Sequence, residues 1–296
     1  SVIDRSLTHC PNSWDHLSDP VSEDHKGTDN TKNIDLTDKN SVAHTVRNLY
    51  EEKNIRIFIN AAAYTAVDKA EDEPAAALAV NWYGAGHLAT EISKYEDAVL
   101  IYLSSDYVFD GKNRTPYEEN APANPLSVYG LSKFAGEIVT RSFVSRHIIL
   151  RTSWVFGADG QNFLKTMLAL GKEKDELRIV NDQFGAPTYS CDVAKALWHI
   201  AKTVQKPGFK EWGLYHYTGQ GPVNWYDFAA HIFTQHKKNG GKVPHNLIPV
   251  PSIAFPQKAS RPSYSYMSCA RIKKVFGLEQ SDWKKGIRET LMLLFL

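Results

Sequence analysis

The chain has 296 residues, of which 43% are hydrophobic and 23% charged, the composition of an ordinary globular protein with room for one large domain or two smaller ones. Its 34 basic and 33 acidic side chains leave a formal net charge of +1, so no overall field attracts nucleic acid or an anionic membrane. The sequence shows neither an apolar run of the roughly 18 residues that span a membrane nor a secretory leader, and a cytoplasmic protein is expected.

The first 34 residues differ from the rest. They contain two prolines and many Asp, Ser and His residues, but no apolar strand. This composition predicts a loop-like or poorly ordered segment.

Helices and short apolar strands are predicted to alternate from about residue 38 to residue 155. Asp38 can cap the first helix. Strands alternating with helices of this length indicate parallel β-α-β units. The predicted helices cover 38–53, 74–94 and 127–145, and the predicted buried strands cover 55–61, 98–103 and 148–152.

Parallel sheets bind ligands just beyond the carboxyl ends of their strands. The segments that follow the three predicted strands are 60–68, 104–110 and 153–157. Past residue 155, glycine and proline become frequent, and helices at 191–204 and 225–236 are separated by longer polar loops. This change predicts a smaller, less regular lobe beside the sheet.

Tyr129 and Lys133 lie one helical turn apart near the start of the predicted 127–145 helix. Tyr129 is the only one of the fourteen tyrosines with a lysine at the fourth following position. A lysine ammonium beside a phenol favours the phenolate, and such a tyrosine can pass a proton to a carbonyl oxygen. The spacing also arises by chance, so by itself it leaves a purely structural role open.

A short polar segment, Ser104-Ser105-Asp106, directly follows the predicted strand AVLIYL. A hydroxyl group at the end of a strand can share the charge that develops on a carbonyl oxygen. A turn that only ends the strand is the structural alternative. The combination with Tyr129 and Lys133 on the next helix favours a catalytic site.

Six segments follow one another in order: NAAAYTAVDKAE (60–71), SSDYVFDG (104–111), YGLSK (129–133), RTSWVF (151–156), NDQFGAPT (181–188) and Arg261-Pro262. Together they resemble the dTDP-4-dehydrorhamnose reductase family, a branch of the extended short-chain dehydrogenase/reductases. The resemblance covers roughly residues 33–294. NAAAYTAVDKAE and NDQFGAPT are long and particular to this branch, so the match is more specific than the Tyr-Lys spacing.

The resemblance implies an α/β fold with two parts. A Rossmann-like, doubly wound parallel sheet would occupy residues 1–155 and receive part of 190–215, and a smaller α/β substrate-binding lobe would occupy 156–296. The implied activity is NADPH- or NADH-dependent reduction of the C4 ketone of dTDP-6-deoxy-L-lyxo-4-hexulose to dTDP-L-rhamnose. The implied partner is a small nucleotide sugar, and a homodimer stays open.

The resemblance also implies the site residues. The catalytic residues, which would lie beside substrate or cofactor, are Ser105, Asp106, Tyr129 and Lys133. The cofactor would contact Asp35, Leu36, Ala62, Ala63, Tyr64, Leu103, Ser104, Tyr129 and Lys133. The substrate would contact Thr65, Val67, Ser105, Asp106, Trp154, Gln183 and Arg261.

Within these sets, Tyr129 would donate the proton and Lys133 would bind the ribose hydroxyls and lower the pKa of the tyrosine. Trp154 would offer an apolar plane to the hexose ring, with packing between the lobes as the alternative. An arginine such as Arg261 suits a diphosphate. Glu137 is expected to be only a neighbour on the helix face.

Metal-binding patterns are absent from the sequence. The eleven histidines show no HExxH or HxH spacing, and the three cysteines form no CxxC pair. No metal site is therefore predicted, and Mg²⁺ stays open without any residue pattern that indicates it. Asp68, Lys69 and Glu71 are expected to form a solvated, ion-paired start of a helix.

The sequence departs from the family at its beginning. A first strand with a glycine-rich GxxGxxG turn would hold the pyrophosphate, yet Gly27 is the only glycine before residue 84. Three explanations stay open: a truncated or misread start, weak or absent dinucleotide binding, or another segment in place of the missing strand. The alternatives to the reductase are a non-catalytic or regulatory binding protein on the same fold and a reductase or epimerase of another nucleotide sugar.

Overall fold

Residues 34–295 are described by the computed structural model. The loop-like or poorly ordered segment predicted for the first 34 residues lies outside the described residues, except for Ile34. Up to residue 152, the elements are α1 (Lys39–Arg47), β1 (Ile57–Asn60), α2 (Val67–Asp72), α3 (Pro74–Leu78), α4 (Ala85–Ile92), β2 (Val99–Ser105), α5 (Val128–Phe143) and β3 (His147–Thr152).

The remaining elements complete the main sheet and form most of a second lobe. They are β4 (Val155–Phe156), α6 (Phe163–Glu173), β5 (Glu176–Val180), β6 (Phe184–Gly185), β7 (Thr188–Tyr189), α7 (Ser190–Val204), β8 (Gly213–His216), β9 (Val223–Asn224), α8 (Trp225–Lys238), β10 (Asn246–Val250), α9 (Ala270–Phe276) and α10 (Trp283–Phe295).

The helices and strands predicted from the sequence are confirmed, with ends that differ by a few residues. Asp38 caps α1, and its carboxylate accepts the backbone N–H of Asn40. The long helix expected from Pro74 is divided, because the π-helical turn Ala79–Gly84 separates α3 from α4. Its last residue, Gly84, approaches the chain so closely that a Cβ there would lie 2.8 Å from the Cβ of Leu36.

A parallel sheet with the strand order β1-β2-β3-β8 forms the centre of the larger lobe. Side chains alternate between its faces, as the two-residue period of a strand requires. Ile101 and Leu150 pack with α7 and α9 on one face, whereas Phe58 and Leu100 pack with α1 and α4 on the other. Helices on both faces of a parallel sheet give a doubly wound architecture.

The second lobe packs α6, α8 and α10 around short two-stranded sheets. β5 pairs with β10 and β4 with β7 in parallel, while β6 pairs with β9 antiparallel. Its core contains Phe156, Leu164, Phe228 and Ile287, all at most 2% exposed. The lobe therefore has a hydrophobic core separate from the two on the main sheet.

The segment 257–268 joins the two lobes. It contacts α2 through the ion pair between Arg261 and Asp68. Further along, it contacts β6, where the backbone N–H of Phe184 donates to the Ser263 carbonyl, and an isolated bridge pairs Tyr117 with Met267. The same segment reaches the carboxyl end of β2, where the Ser265 hydroxyl donates to Asp106. Within residues 34–295, no helix is both long and apolar enough for a membrane crossing.

Candidate active site

Ser105 is the last residue of β2, and Asp106 begins the short 3₁₀ turn that follows it. The Ser105 hydroxyl accepts the backbone N–H of Tyr107 at 3.2 Å and lies 3.1 Å from Asp106 Oδ1, to which it donates. Both side chains are buried. The turn thus fixes a hydroxyl and a carboxyl group side by side at the edge where a parallel sheet binds ligands.

Helix α5 packs unusually close to this edge because it carries glycine at two contact points. A Cβ at Gly130 would lie 2.2 Å from the Tyr107 carbonyl oxygen, and one at Gly136 would lie 2.2 Å from the Tyr102 hydroxyl. Ser127 caps the helix by accepting the N–H of Gly130. This close approach brings the first turn of α5, with its tyrosine, against the end of β2.

Tyr129 lies on that first turn and is half-buried. Its ring meets the edge of the Tyr107 ring, with 5.5 Å between centroids and an angle of 75°. Burial raises the pKa of Tyr129 to about 12, the charge of Asp106 acts in the same direction, and a hydrogen bond with Ser105 opposes both. The phenol is therefore protonated at neutral pH and suited to donate a proton.

Lys133 is 2% exposed and lies one turn further along α5. Its Nζ donates to the Leu103 carbonyl oxygen at 2.7 Å and lies 4.3 Å from the centre of the Tyr102 ring. Burial lowers the pKa of Lys133 to about 7, against the opposing effect of the Glu137 charge. The ammonium group contacts the Leu103 carbonyl near the end of β2. Lys133 was expected to lower the pKa of Tyr129, but that pKa is set by burial, Ser105 and Asp106.

Glu137 is more than the helix-face neighbour that was expected. It is 1% exposed, and its carboxylate accepts two hydrogen bonds from Arg151 on β3, both 2.7 Å long. Its Oε1 also accepts the hydroxyl of Ser104 on β2. The sequence expectation was wrong because a residue four positions after a buried lysine points at the same sheet edge.

Of the residues expected near the cofactor, Ala62, Ala63 and Tyr64 follow the carboxyl end of β1, and Asp35 and Leu36 lie in the turn before α1. The backbone N–H of Ala62 donates to the Asn60 side chain. The Asn81 side chain accepts the backbone N–H of Tyr64 and donates to the Tyr64 carbonyl oxygen. Sequence reasoning missed Asn81, a buried amide inside a helical stretch whose surrounding residues gave no signal. Ala63 lies between these anchored neighbours; Asp35 accepts two hydrogen bonds from Thr37, and the Leu36 side chain is buried in the core.

Trp154 lies at the boundary between the lobes, with a left-handed backbone (φ 47°) and its ring stacked on Trp225 at 3.5 Å between centroids. Gly185 lies directly against the Trp154 ring, since a Cβ there would be 2.6 Å from it. The half-buried Trp154 ring is compatible with both roles expected for it, which are packing between the lobes and offering an apolar plane to the hexose ring. No sequence pattern singled out Trp225.

Arg261 is held by Asp68, with Nη1 and Nη2 at 3.1 and 2.7 Å from the two carboxylate oxygens. Asp68 is thus ion-paired, as expected, but across the lobes. Gln183 is buried at the start of the short strand β6, and Thr65 and Val67 lie at the start of α2. Among residues 34–295, no group of three His, Cys, Asp or Glu side chains is arranged to hold a metal ion.

Asp106 is 1% exposed, and burial raises its pKa from 3.8 to about 7. Between about pH 4 and pH 7, the Asp106 carboxyl group is therefore protonated in the folded chain and ionised in the unfolded chain. Its contribution to stability is fully present below pH 4 and is lost as the pH rises to 7. We expect Asp106→Asn to gain stability relative to the wild type over this interval, by up to about 1.4 kcal/mol per pH unit.

Urea unfolding of both proteins at pH 4, 5, 6 and 7 measures this difference. Asp175→Asn is the control, because it makes the same substitution at an exposed position. A difference for Asp106→Asn that does not change with pH would show that burial does not raise the pKa of Asp106 above its value in the unfolded chain.

Comparison with known proteins identifies the family. The family model described as the RmlD substrate binding domain matches residues 16–295. The dTDP-4-dehydrorhamnose reductases of Aggregatibacter actinomycetemcomitans and Escherichia coli (strain K12) are each 40% identical to this chain, over 86% and 88% of it and over 85% and 86% of their own lengths. A crystal structure of the Bacillus anthracis dTDP-4-dehydrorhamnose reductase in complex with NADP has a TM-score of 0.78 and 34% identity, covering 88% of this chain and 87% of that one.

These similarities extend over both lobes and confirm the expected Rossmann-like, doubly wound fold. They also agree with the resemblance found in the sequence motifs. The chain belongs to the dTDP-4-dehydrorhamnose reductase family.

Proposed function

We propose that this protein reduces the C4 ketone of dTDP-4-dehydrorhamnose to the alcohol of dTDP-L-rhamnose, with NADPH or NADH as the reductant. The observation that carries the proposal is the convergence of Ser105, Tyr129 and Lys133 at the carboxyl end of β2. The three relatives described above are each named dTDP-4-dehydrorhamnose reductase, which supports the same substrate.

The fit of a nicotinamide dinucleotide can be judged at Lys133. An ammonium group has three N–H donors, and within residues 34–295 Lys133 uses one of them, toward Leu103. Two donors stay available at the carboxyl end of β2, which suits the paired hydroxyls of a ribose. The dinucleotide would supply a hydride, and the segment 62–64 together with Asp35, Leu36, Leu103 and Ser104 would complete its side of the site.

In the proposed reaction, the ketone becomes an alcohol by gaining a hydride on carbon and a proton on oxygen. Tyr129 donates that proton from its hydroxyl, which is protonated at neutral pH. The Ser105 hydroxyl, which donates to Asp106 in the free protein, would turn its hydrogen to the same oxygen and stabilise its developing charge. Lys133 would hold the ribose hydroxyls, and the Tyr129 phenolate takes up a proton again before the next turnover.

The substrate would lie between the lobes, with the hexose near Asp106 and Trp154 and the diphosphate toward Arg261. Thr65, Val67 and Gln183 would complete its contacts. We assign residues 1–155, with part of 190–215, to the dinucleotide-binding domain and residues 156–296 mainly to the substrate lobe. A net charge of +1 favours a small-molecule substrate over nucleic acid, and we place the reaction in the cytoplasm.

The purified protein tests this proposal when it is mixed with dTDP-4-dehydrorhamnose and NADPH or NADH. Loss of absorbance at 340 nm, together with dTDP-L-rhamnose as the product in NMR spectra, is expected. Saturable dinucleotide binding without turnover of this or any other nucleotide-sugar ketone would instead favour a binding protein on the same fold. Turnover of a UDP- or GDP-linked ketone alone would reassign the substrate.

We expect Trp154→Ala to raise the KM for the sugar nucleotide about fivefold and to change kcat by less than about threefold, because an aromatic plane against the sugar is worth roughly 1 kcal/mol. Steady-state kinetics at saturating dinucleotide measures both constants. Trp198→Ala is the control, since Trp198 lies on α7 and is 45% exposed. An unchanged KM would leave Trp154 with packing between the lobes as its role.

A further inference from the structure

Glu137 connects three elements at the candidate site. It lies on α5, Ser104 lies on β2 and Arg151 lies on β3, and the last two are paired across the sheet. One carboxylate therefore binds α5 to neighbouring residues of two strands, and its two oxygens accept three hydrogen bonds. All three side chains are less than 5% exposed.

Lys133 binds α5 to the same strand from the previous helical turn. Its Nζ donates to Leu103, the residue before Ser104. Side chains four positions apart on a helix are neighbours, about 5–6 Å apart at their Cβ atoms. Lys133 and Glu137 therefore form two adjacent, oppositely charged links between α5 and the end of β2, in a region almost without solvent.

A buried ammonium group needs a nearby negative charge to stay ionised. Among the groups that act on the charge of Lys133, burial opposes the ammonium form, and Glu137 is the charged side chain that favours it. The guanidinium of Arg151 faces Glu137 from β3, and the Tyr102 ring faces Lys133 from β2. Tyr129 lies one turn earlier on α5, and Asp106 follows the end of β2. Of these neighbours, Glu137 is the acidic side chain that lies on the same helix as Lys133 and compensates its positive charge.

We propose that Glu137 is a positioning residue of this enzyme: it supplies the counter-charge that keeps the Lys133 ammonium ionised and, through Ser104 and Arg151, holds α5 in register with β2 and β3. Its role in catalysis rests on the proposed function. Its effect on Lys133 is a property of the protein without substrate or cofactor and can be measured separately.

Titration of Lys133 tests the counter-charge directly. The protein is labelled with ¹³C at the lysine Cε, the Lys133 signal is assigned by its loss in Lys133→Met, and its chemical shift is followed from pH 5 to pH 11. In Glu137→Gln the midpoint is expected to fall by about one pH unit. In Glu137→Asp, which keeps the negative charge, it is expected to stay within about 0.3 unit of the wild type.

Two further variants separate this effect from general damage. Glu137→Gln leaves the Arg151 guanidinium without its partner, so the double variant with Arg151→Gln removes both buried charges and should fold if the single variant does not. Its Lys133 midpoint is also expected below that of the wild type. Glu91→Gln is the control: Glu91 is 6% exposed on α4 and pairs with Lys94, and its loss should leave the Lys133 midpoint unchanged.

The activity follows if the proposed reaction is correct. The alkaline limb of the pH profile of kcat/KM should move to lower pH in Glu137→Gln by the same amount as the Lys133 midpoint, and Glu137→Asp should restore it. A Lys133 midpoint that is the same in the wild type, Glu137→Gln and the double variant overturns the inference. Absence of reductase activity in the wild type would count against the proposed function and leave the NMR result standing.

Discussion

Replacing Tyr129 with phenylalanine is expected to lower kcat about 10³-fold, because positioned proton transfer contributes on the order of 10² to 10⁴ to such reactions. The ring stays in place, so its edge contact with Tyr107 is kept. Only the hydroxyl that would protonate the ketone oxygen is lost. The KM for the sugar nucleotide should change by less than about threefold, since the lost interaction belongs to the transition state.

The rate of NADPH oxidation at saturating substrate measures kcat in the wild type and in Tyr129→Phe. Tyr83→Phe is the matched control, because Tyr83 belongs to the same lobe, is 53% exposed and lies outside the candidate site. It should keep the wild-type kcat. A Tyr129→Phe enzyme with nearly wild-type kcat would exclude Tyr129 as the proton donor and direct attention to Asp106, which shares the site and has a raised pKa.

The alternating helices and strands could be predicted because the pattern of apolar residues is local. AVLIYL reads as a buried strand and becomes β2, and the Tyr129-to-Lys133 spacing reads as one helix face and lies on α5. The position of Ser105 at a strand end follows from the same pattern. These features depend on neighbouring residues in the sequence, so they need no knowledge of the folded chain.

The contacts between distant segments could not be predicted. Asn81 anchors Tyr64 from 17 positions away, and Arg261 pairs with Asp68 across 193 positions. Such pairs depend on how the lobes pack, which no local pattern records. The pKa of Tyr129 also depends on burial in the folded chain, so the sequence could suggest which charge lies nearby but not that desolvation dominates.

Arg151→Met is expected to lower the free energy of unfolding by about 3–5 kcal/mol, the cost of leaving one member of a buried ion pair without its partner. The reason is the Glu137 carboxylate, whose side chain is 2% exposed and would lose two of its hydrogen bonds. Urea unfolding at pH 7 measures the loss. Arg56→Met is the control, because the pair between Arg56 and Asp97 is 34% and 52% exposed and should contribute less than about 1 kcal/mol.

The double variant Glu137→Leu with Arg151→Met separates the cost of an unpaired charge from the value of the pair. Because well-packed apolar residues often replace a buried ion pair without loss, the double variant should recover most of the stability that Arg151→Met loses. Recovery of stability without recovery of kcat would mean that the pair is retained for the charge it places beside Lys133 and not for the strength of the fold. A loss in Arg151→Met no larger than that in Arg56→Met would show that the buried pair contributes no more to stability than the exposed one.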